Sequence, residues 1–220
     1  MTEAFSFLNP ISSLSGFHPS WIPRLPDINV SGDREFALHN LGPAHDAIIA
    51  REFPEIATRH HAEQIHGSQI SIVSKTSPQK IITHPASDGL ITNLPRQLLS
   101  IYIADCAAIY LADPVTRSIG LLHAGKKGTS RNILKVAVES MILAFGTRPA
   151  DLICVISPCI RPPHYEIDFA ATIVRQASDL GIKSICDSLE NTASDPDCHY
   201  SYRLEKGRTG RMLALLSITT

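Results

Sequence analysis

His66, Cys106 and His123 are the residues whose types are best suited to chemistry. They lie in the segments Gln64–Gly67, Ala104–Cys106 and Leu121–Thr129, each where a hydrophobic run meets a polar or glycine-rich break. They are 40 and 17 positions apart, spacings too irregular for a local zinc finger, so separate elements of one fold would have to deliver them. Two imidazoles and a thiolate suit Zn²⁺. Three protein ligands leave a coordination position open, which marks a catalytic site rather than a structural one.

Each residue also has an ordinary reading. A lone buried cysteine is usually a small hydrophobe. His66 competes with His60 and His61 among ten histidines. His123 has stronger local support, because it closes an apolar run and enters Ala124-Gly125-Lys126-Lys127-Gly128-Thr129. Glycines let a backbone approach a ligand closely, and a helix predicted to follow would present free N–H groups to an anion. Lys126 and Lys127 would add charge. Gly120 to Lys127 nearly spells a P-loop, but Lys127 stands where a magnesium-binding hydroxyl belongs and Gly120 falls inside the strand.

The elements that must position this trio are clearest in the middle of the chain. Leu98 to Ala104, Ala107 to Leu111 and Ser118 to His123 read as buried strands, with Asp113-Pro114-Val115-Thr116 as a hairpin turn. Apolar residues at helical spacing predict a helix from Ser130 to Phe145, capped by Thr129 or Ser130 and ended by Gly146. A short helix is expected from Ala44 to Phe53, before Pro54. Further strands are expected at Ile70 to Val73, Ile81 to Thr83, after Asp88-Gly89, at Asp151 to Ser157 and at Arg211 to Thr220. Another helix is expected from Phe169 to Leu180. Residues 1–35, rich in Pro and Ser, read as an irregular N-terminal arm ahead of one catalytic domain over 36–220.

Composition narrows the function classes. Of 220 residues, 44% are hydrophobic and 19% charged, an ordinary globular balance. A formal net charge of −1 gives no global field for nucleic acid or an anionic membrane, so any anion site must be local. Five cysteines without a C-x-x-C pair, an N-terminus lacking a basic region and no long apolar run point to a cytoplasmic protein with free thiols. Oligomeric state is not readable.

The ordered motifs QIHG, DGLIT (Asp88 to Thr92), ADC and HAG-x-x-GT resemble the YfiH-like, laccase-domain family. Ser157 to Ile167 is similar to its G-P-x-I-G and Y-E-V segments, Cys198 to Arg203 to its S-Y-R-R, and Thr209 to Arg211 to its T-G-R. Asn40-Leu41-Gly42 and Arg51 align with its N-L-G and N-R segments. The likeness spans residues 38–218.

The resemblance implies an α+β, four-layer α/β/β/α sandwich with mixed sheets, similar to the cysteine-hydrolase fold. It implies a metal site at His66, Cys106 and His123, with zinc favoured over copper. Asn40, Arg51, Lys126, Lys127, Thr129, Tyr165 and Arg203 are the implied substrate and phosphate contacts, with Glu166 and Arg211 beside them. The implied activity is phosphorolysis of adenosine and inosine to a base and ribose 1-phosphate, with adenosine deamination, on small molecules rather than nucleic acid or membrane. Members have been described both as polyphenol oxidases and as purine nucleoside phosphorylases.

Several positions depart from the family pattern. Lys126-Lys127 replace Trp-Arg, Ala50 an asparagine, Ser157 and Arg161 glycines, and Leu204 an arginine. Three alternatives accompany the phosphorylase: a metal-independent cysteine hydrolase using Cys106, a laccase-type oxidase, and a non-catalytic member retained for binding. The chain lacks the His-x-His pairs that a multicopper oxidase needs.

Overall fold

The computed structural model describes residues 5–219. A short helix α1 (Asn9–Ser12) precedes strand β1 (Phe17–Ile22) and the long helix α2 (Arg34–Glu52). Strands β2 (Thr58–Ala62), β3 (Ile70–Ile72), β4 (Ile81–His84), β5 (Gly89–Thr92), β6 (Gln97–Ile103), β7 (Ala107–Asp113) and β8 (Ser118–Ala124) follow. Helices α3 (Lys126–Ser130) and α4 (Ile133–Phe145), strand β9 (Ile153–Ile156), helix α5 (Phe169–Asp179), and strands β10 (Ser184–Asp187) and β11 (Met212–Ile218) complete the order.

The strands form two mixed sheets. Sheet 1 runs β1-β11-β6-β2-β4 and sheet 2 runs β10-β9-β7-β8-β5-β3. Side chains alternate across each strand, and the apolar residues follow that alternation. Leu99, Ile101 and Ile103 of β6 meet Ala108, Tyr110 and Ala112 of β7 and Ile119 and Leu121 of β8 between the sheets. Leu98, Leu213 and Leu215 face outward from sheet 1 onto Ile48, Ile49 and Phe53 at the α2 end. Ile109, Leu111 and Leu122 face outward from sheet 2 onto Leu134, Ala137, Met141, Phe169 and Ile173 of α4 and α5. The result is the expected four-layer α/β/β/α sandwich.

Residues 5–35 differ from the irregular arm expected; residues 1–4 lie outside the described residues. Ile11 of α1 is fully buried, and β1 pairs antiparallel with β11 from Phe17↔Ile218 to Ile22↔Leu213. Pro19 is tolerated because β1 is an edge strand, where a missing N–H leaves no ladder bond unmade.

Helix α2 begins ten residues before the helix expected from Ala44 and carries Pro43 inside it. Asp33 caps it, accepting from the Phe36 N–H at 2.8 Å. After β8 of sheet 2, the Gly-Lys segment expected to be a loop is itself helical, as α3. The cap of α4 is Asn132, accepting from the Lys135 N–H at 3.2 Å, rather than Thr129 or Ser130.

Candidate metal centre

Three separate chain turns bring the trio together. After β2, Gln64 and His66 take left-handed backbone angles (φ 66° and 61°). Gln64 clamps this turn to sheet 1: its Nε2 donates to the Tyr102 carbonyl at 2.7 Å and its Oε1 accepts from the Tyr102 N–H at 2.9 Å. Cys106 sits in the tight link between β6 and β7, preceded by Asp105 at φ 79°. His123 shares the inter-sheet face of β8 with Ile119 and Leu121, two and four residues earlier.

The ligand atoms of His66, Cys106 and His123 all lie within 4.8 Å of one another. The two imidazole rings meet edge to face, with centroids 4.8 Å apart. His66 is exposed, Cys106 half-buried and His123 buried, so the cluster opens to solvent on the His66 side.

Asp88, at the foot of β5, is completely buried and organises the histidines. Its Oδ1 accepts from the His66 N–H at 2.8 Å and meets His123 Nδ1 at 2.9 Å, while its Oδ2 accepts from the Gly67 N–H at 2.6 Å. Burial alone would raise this carboxyl, but the His123 and Gly67 hydrogen bonds outweigh it and hold the pKa below the usual carboxylate range. A carboxylate at Nδ1 fixes the proton there and leaves Nε2 to the cluster.

Burial would likewise raise the Cys106 thiol. The His123 charge and hydrogen bonds to both imidazoles win, lowering it to about 6. His123 responds in the opposite sense: burial lowers it, but Cys106 and Asp88 bring it up to about 9. Both shifts favour a thiolate beside an imidazolium in the metal-free cluster. Such a sulfur is already in the state a soft or borderline cation requires.

Two neighbours complete the fit. A Cβ on Gly125 would fall 2.5 Å from Cys106 Sγ, so only glycine leaves room for the thiolate. Asp105 ties the cysteine turn to its surroundings. Its Oδ1 accepts from Thr192 Oγ1 at 2.7 Å, its Oδ2 from the Arg203 N–H at 2.7 Å, and its carbonyl from the Ile160 N–H at 2.8 Å. Two nitrogens and one sulfur, with a buried carboxylate behind one ring, suit a soft or borderline cation better than magnesium or calcium, which take oxygen ligands. Among the described residues this is the one group of three or more His, Cys, Asp or Glu that could hold an ion.

The expected substrate contacts are placed less uniformly. Tyr165 is half-buried, with the Arg203 guanidinium 5.7 Å above its ring. Lys126 is exposed and paired at 3.2 Å with Glu166, the residue after Tyr165. Lys127 points to solvent, whereas Thr129 is buried and its hydroxyl has no partner.

Asn40 and Arg51 are not brought to the trio by any recorded contact. Asn40 Nδ2 donates to the Asn29 carbonyl at 2.8 Å, and Arg51 pairs with Glu52 at 3.3 Å. Arg34, at the start of α2, reaches the Glu63 carbonyl beside the His66 turn. Arg51 lies seventeen residues further along, about 25 Å down the helix axis. The sequence reading missed the roles of Asp88, Asp105 and Gly125. Each falls inside or beside a quoted motif, but a hydrogen-bonding role is visible only once the chain is folded.

Comparison with known proteins agrees with this architecture. The family described as "Multi-copper polyphenol oxidoreductase laccase" matches residues 45–171 and 164–219, and the chain belongs to it. Relatives include purine nucleoside phosphorylase YlmD of Bacillus subtilis, 28% identical over 71% of this chain and 69% of that protein. The purine nucleoside phosphorylase of Deinococcus radiodurans is 30% identical over 70% of this chain and 68% of its own. Among solved structures, YlmD from Geobacillus stearothermophilus superposes with a TM-score of 0.77 at 22% identity, covering 94% of this chain and 93% of that one. Bacillus licheniformis YfiH superposes with a TM-score of 0.70 at 22% identity, covering 93% and 92%.

Proposed function

We propose that this chain is a zinc-dependent purine nucleoside phosphorylase that also deaminates adenosine. The observation that carries the proposal is the convergence of His66, Cys106 and His123 within 4.8 Å on an open face, in a chain whose relatives bear the phosphorylase name. His66, Cys106 and His123 would hold the ion. When bound, zinc supplies a Lewis acid and a water whose pKa is lowered toward neutrality.

The chain's own residues supply the rest. Asp88 keeps the His123 proton at Nδ1. Tyr165, under the Arg203 guanidinium, offers a flat surface beside the opening on which a purine can stack. In phosphorolysis a phosphate oxygen forms a bond to C1′ as the C1′–N9 bond breaks. Its electron pair leaves with the base, which takes up a proton. In deamination, water oxygen adds at C6 of adenosine and ammonia departs, giving inosine. All five cysteines are free, and no helix among the described residues is long and apolar enough to cross a membrane, which fits a cytoplasmic enzyme acting on small molecules.

A second reading has its own support. Cys106 at about 6, His123 at about 9 and Asp88 on the far side of the ring form the arrangement of a cysteine hydrolase, with nucleophile, base and orienting carboxylate. A laccase-type oxidase is less well supported, because one three-ligand group does not furnish several copper centres.

Chelation separates these readings. Purified protein is incubated with inosine or adenosine, with and without phosphate, before and after metal removal. The phosphorylase releases hypoxanthine and ribose 1-phosphate only with phosphate and metal, and Cys106→Ala abolishes both metal binding and turnover. Phosphate-independent cleavage that survives metal removal and is lost in Cys106→Ala supports the hydrolase instead. A zinc-loaded protein inert to both nucleosides at saturating phosphate sinks the proposal.

A further inference from the structure

The cations of the chain are not equivalent. Lys126 is matched by Glu166, Arg161 by Asp187 and Arg24 by Glu205. Arg211 has no such partner: it is only 9% exposed, and its Nη1 donates to the carbonyls of Thr209 and Gly210 at 2.8 Å each. Among the described residues no carboxylate makes an ion pair with it or with Arg34. Asp105 is near Arg211 and acts on it through its charge, but it makes no direct ion pair, and its carboxylate oxygens accept from Thr192 and Arg203. A guanidinium withdrawn from water without a direct ion pair keeps N–H donors that a bound anion can satisfy.

The fold places both arginines beside the trio. Arg211 immediately precedes β11, whose Met212 pairs with Ile103, three residues before Cys106. Arg34 Nη2 donates to the Glu63 carbonyl at 3.4 Å, and the adjacent Gln64 is clamped to Tyr102 on β6. The two guanidinium-bearing residues thus flank the end of β6 from its two neighbouring strands. Arg211 also lies 6.0 Å from the Tyr202 ring, which supports one face of its plane. Burial, and then the charge of Arg34, lower Arg211 from its ordinary value, while Tyr202, Cys106 and Asp105 oppose them, consistent with this proximity.

We propose that Arg34 and Arg211 form the clamp for a phosphate dianion, on the sheet 1 side of the metal trio, in place of the Lys126-Lys127 segment. Planar guanidinium forks grip phosphate oxygens two at a time, which an ammonium already engaged by Glu166 does not. Assigning the dianion to orthophosphate rests on the phosphorylase reading. The same chemistry would accept the 5′-phosphate of a purine nucleotide.

The test is phosphate binding to the zinc-loaded full chain, followed by calorimetry with orthophosphate and, separately, with inosine 5′-monophosphate. Zinc content and circular dichroism are recorded for every variant. Arg34→Gln and Arg211→Lys are expected to weaken orthophosphate by roughly tenfold or more, and Lys126→Ala by less than about twofold. Arg34 is exposed, so its variant remains informative if the Arg211 variant misfolds.

Unchanged phosphate affinity in folded Arg34→Gln and Arg211→Lys overturns the clamp, as does a loss confined to Lys126→Ala. Binding of the nucleotide without orthophosphate overturns the orthophosphate assignment. Phosphate binding that obeys the prediction without nucleoside cleavage refutes the activity and leaves the clamp standing. Cleavage whose phosphate KM ignores both arginine variants does the reverse.

Discussion

Asp88 accepts three N–H groups with two oxygens, and all three belong to the proposed metal trio or its turn: His66 and Gly67 through their backbones, His123 through Nδ1. An amide cannot repeat this pattern, since one of its two ends donates. Asp88→Asn therefore sets an N–H against an N–H whichever way the amide is turned. The expected outcome is a zinc affinity lower by about 10–100-fold, the usual cost of losing a carboxylate behind a ligating histidine. Competition against a chromophoric chelator measures it, and affinity equal to the parent's would show that the carboxylate does not orient the ring. The His66, Cys106 and His123 trio was legible because such side-chain chemistry is rare at such breaks. Asp88 was not, because an aspartate before glycine reads equally well as a turn residue.

The elements that hold the ligands are packed with little slack. Gly125 is the N-cap of helix α3, against the Cys106 turn, and Gly128 within the helix lies so near that an added Cβ would meet the Gly67 and His123 carbonyls at 3.2 and 3.3 Å. Gly125 has an ordinary negative φ of −102°, so the requirement there is space rather than backbone freedom. Gly125→Ala pushes the thiol or the α3 turn aside. Zinc content after purification is expected to fall well below that of the parent, with an unfolding free energy lower by only about 1 kcal/mol, since alanine is a poor N-cap. Full zinc occupancy in that variant would mean that the turn yields without displacing the sulfur.

Legibility at this scale followed hydrophobic pattern. Strands β6, β7 and β8 announced themselves by apolar runs, and α4 and α5 by their stripes. Strand β2 did not, because Thr58-Arg59-His60-His61-Ala62 reads as polar. The fold buries it by satisfying its imidazoles: His60 bonds to Gln97 and His84 at 3.0 Å each, and His61 bonds to Ser100 at 2.6 Å. Gly42-Pro43 hid the first half of α2, since proline in a helix interior removes a hydrogen bond. Strands β1 and β10 lie at sheet edges, where a short run needs only one neighbour.

That burial of imidazoles sets the behaviour of the whole molecule in acid. His45, on the buried face of α2, is 1% exposed with no partner for either ring nitrogen; burial, then Arg59, lower it to about 4. His61, stacked on Tyr102, is lowered to about 3 by burial and then by Arg59 and its histidine neighbours. Unfolding returns both rings toward 6.5. Below that pH the unfolded chain holds more protons than the folded one, so stability falls as pH falls, until the folded values near 4 and 3 are reached. Two such groups give a slope of up to about 2.7 kcal/mol per pH unit between roughly pH 6 and pH 4, against a typical total stability of about 5–15 kcal/mol. Urea unfolding of the zinc-free protein at pH 7, 6 and 5 should therefore show a steeply falling midpoint. In His45→Leu the slope should be shallower by about 1.4 kcal/mol per pH unit, because one buried imidazole that stays neutral in the folded state is gone. Parallel pH profiles for the two proteins would mean that His45 takes up its proton in the folded state, and that water or a rearranged α2 reaches the ring.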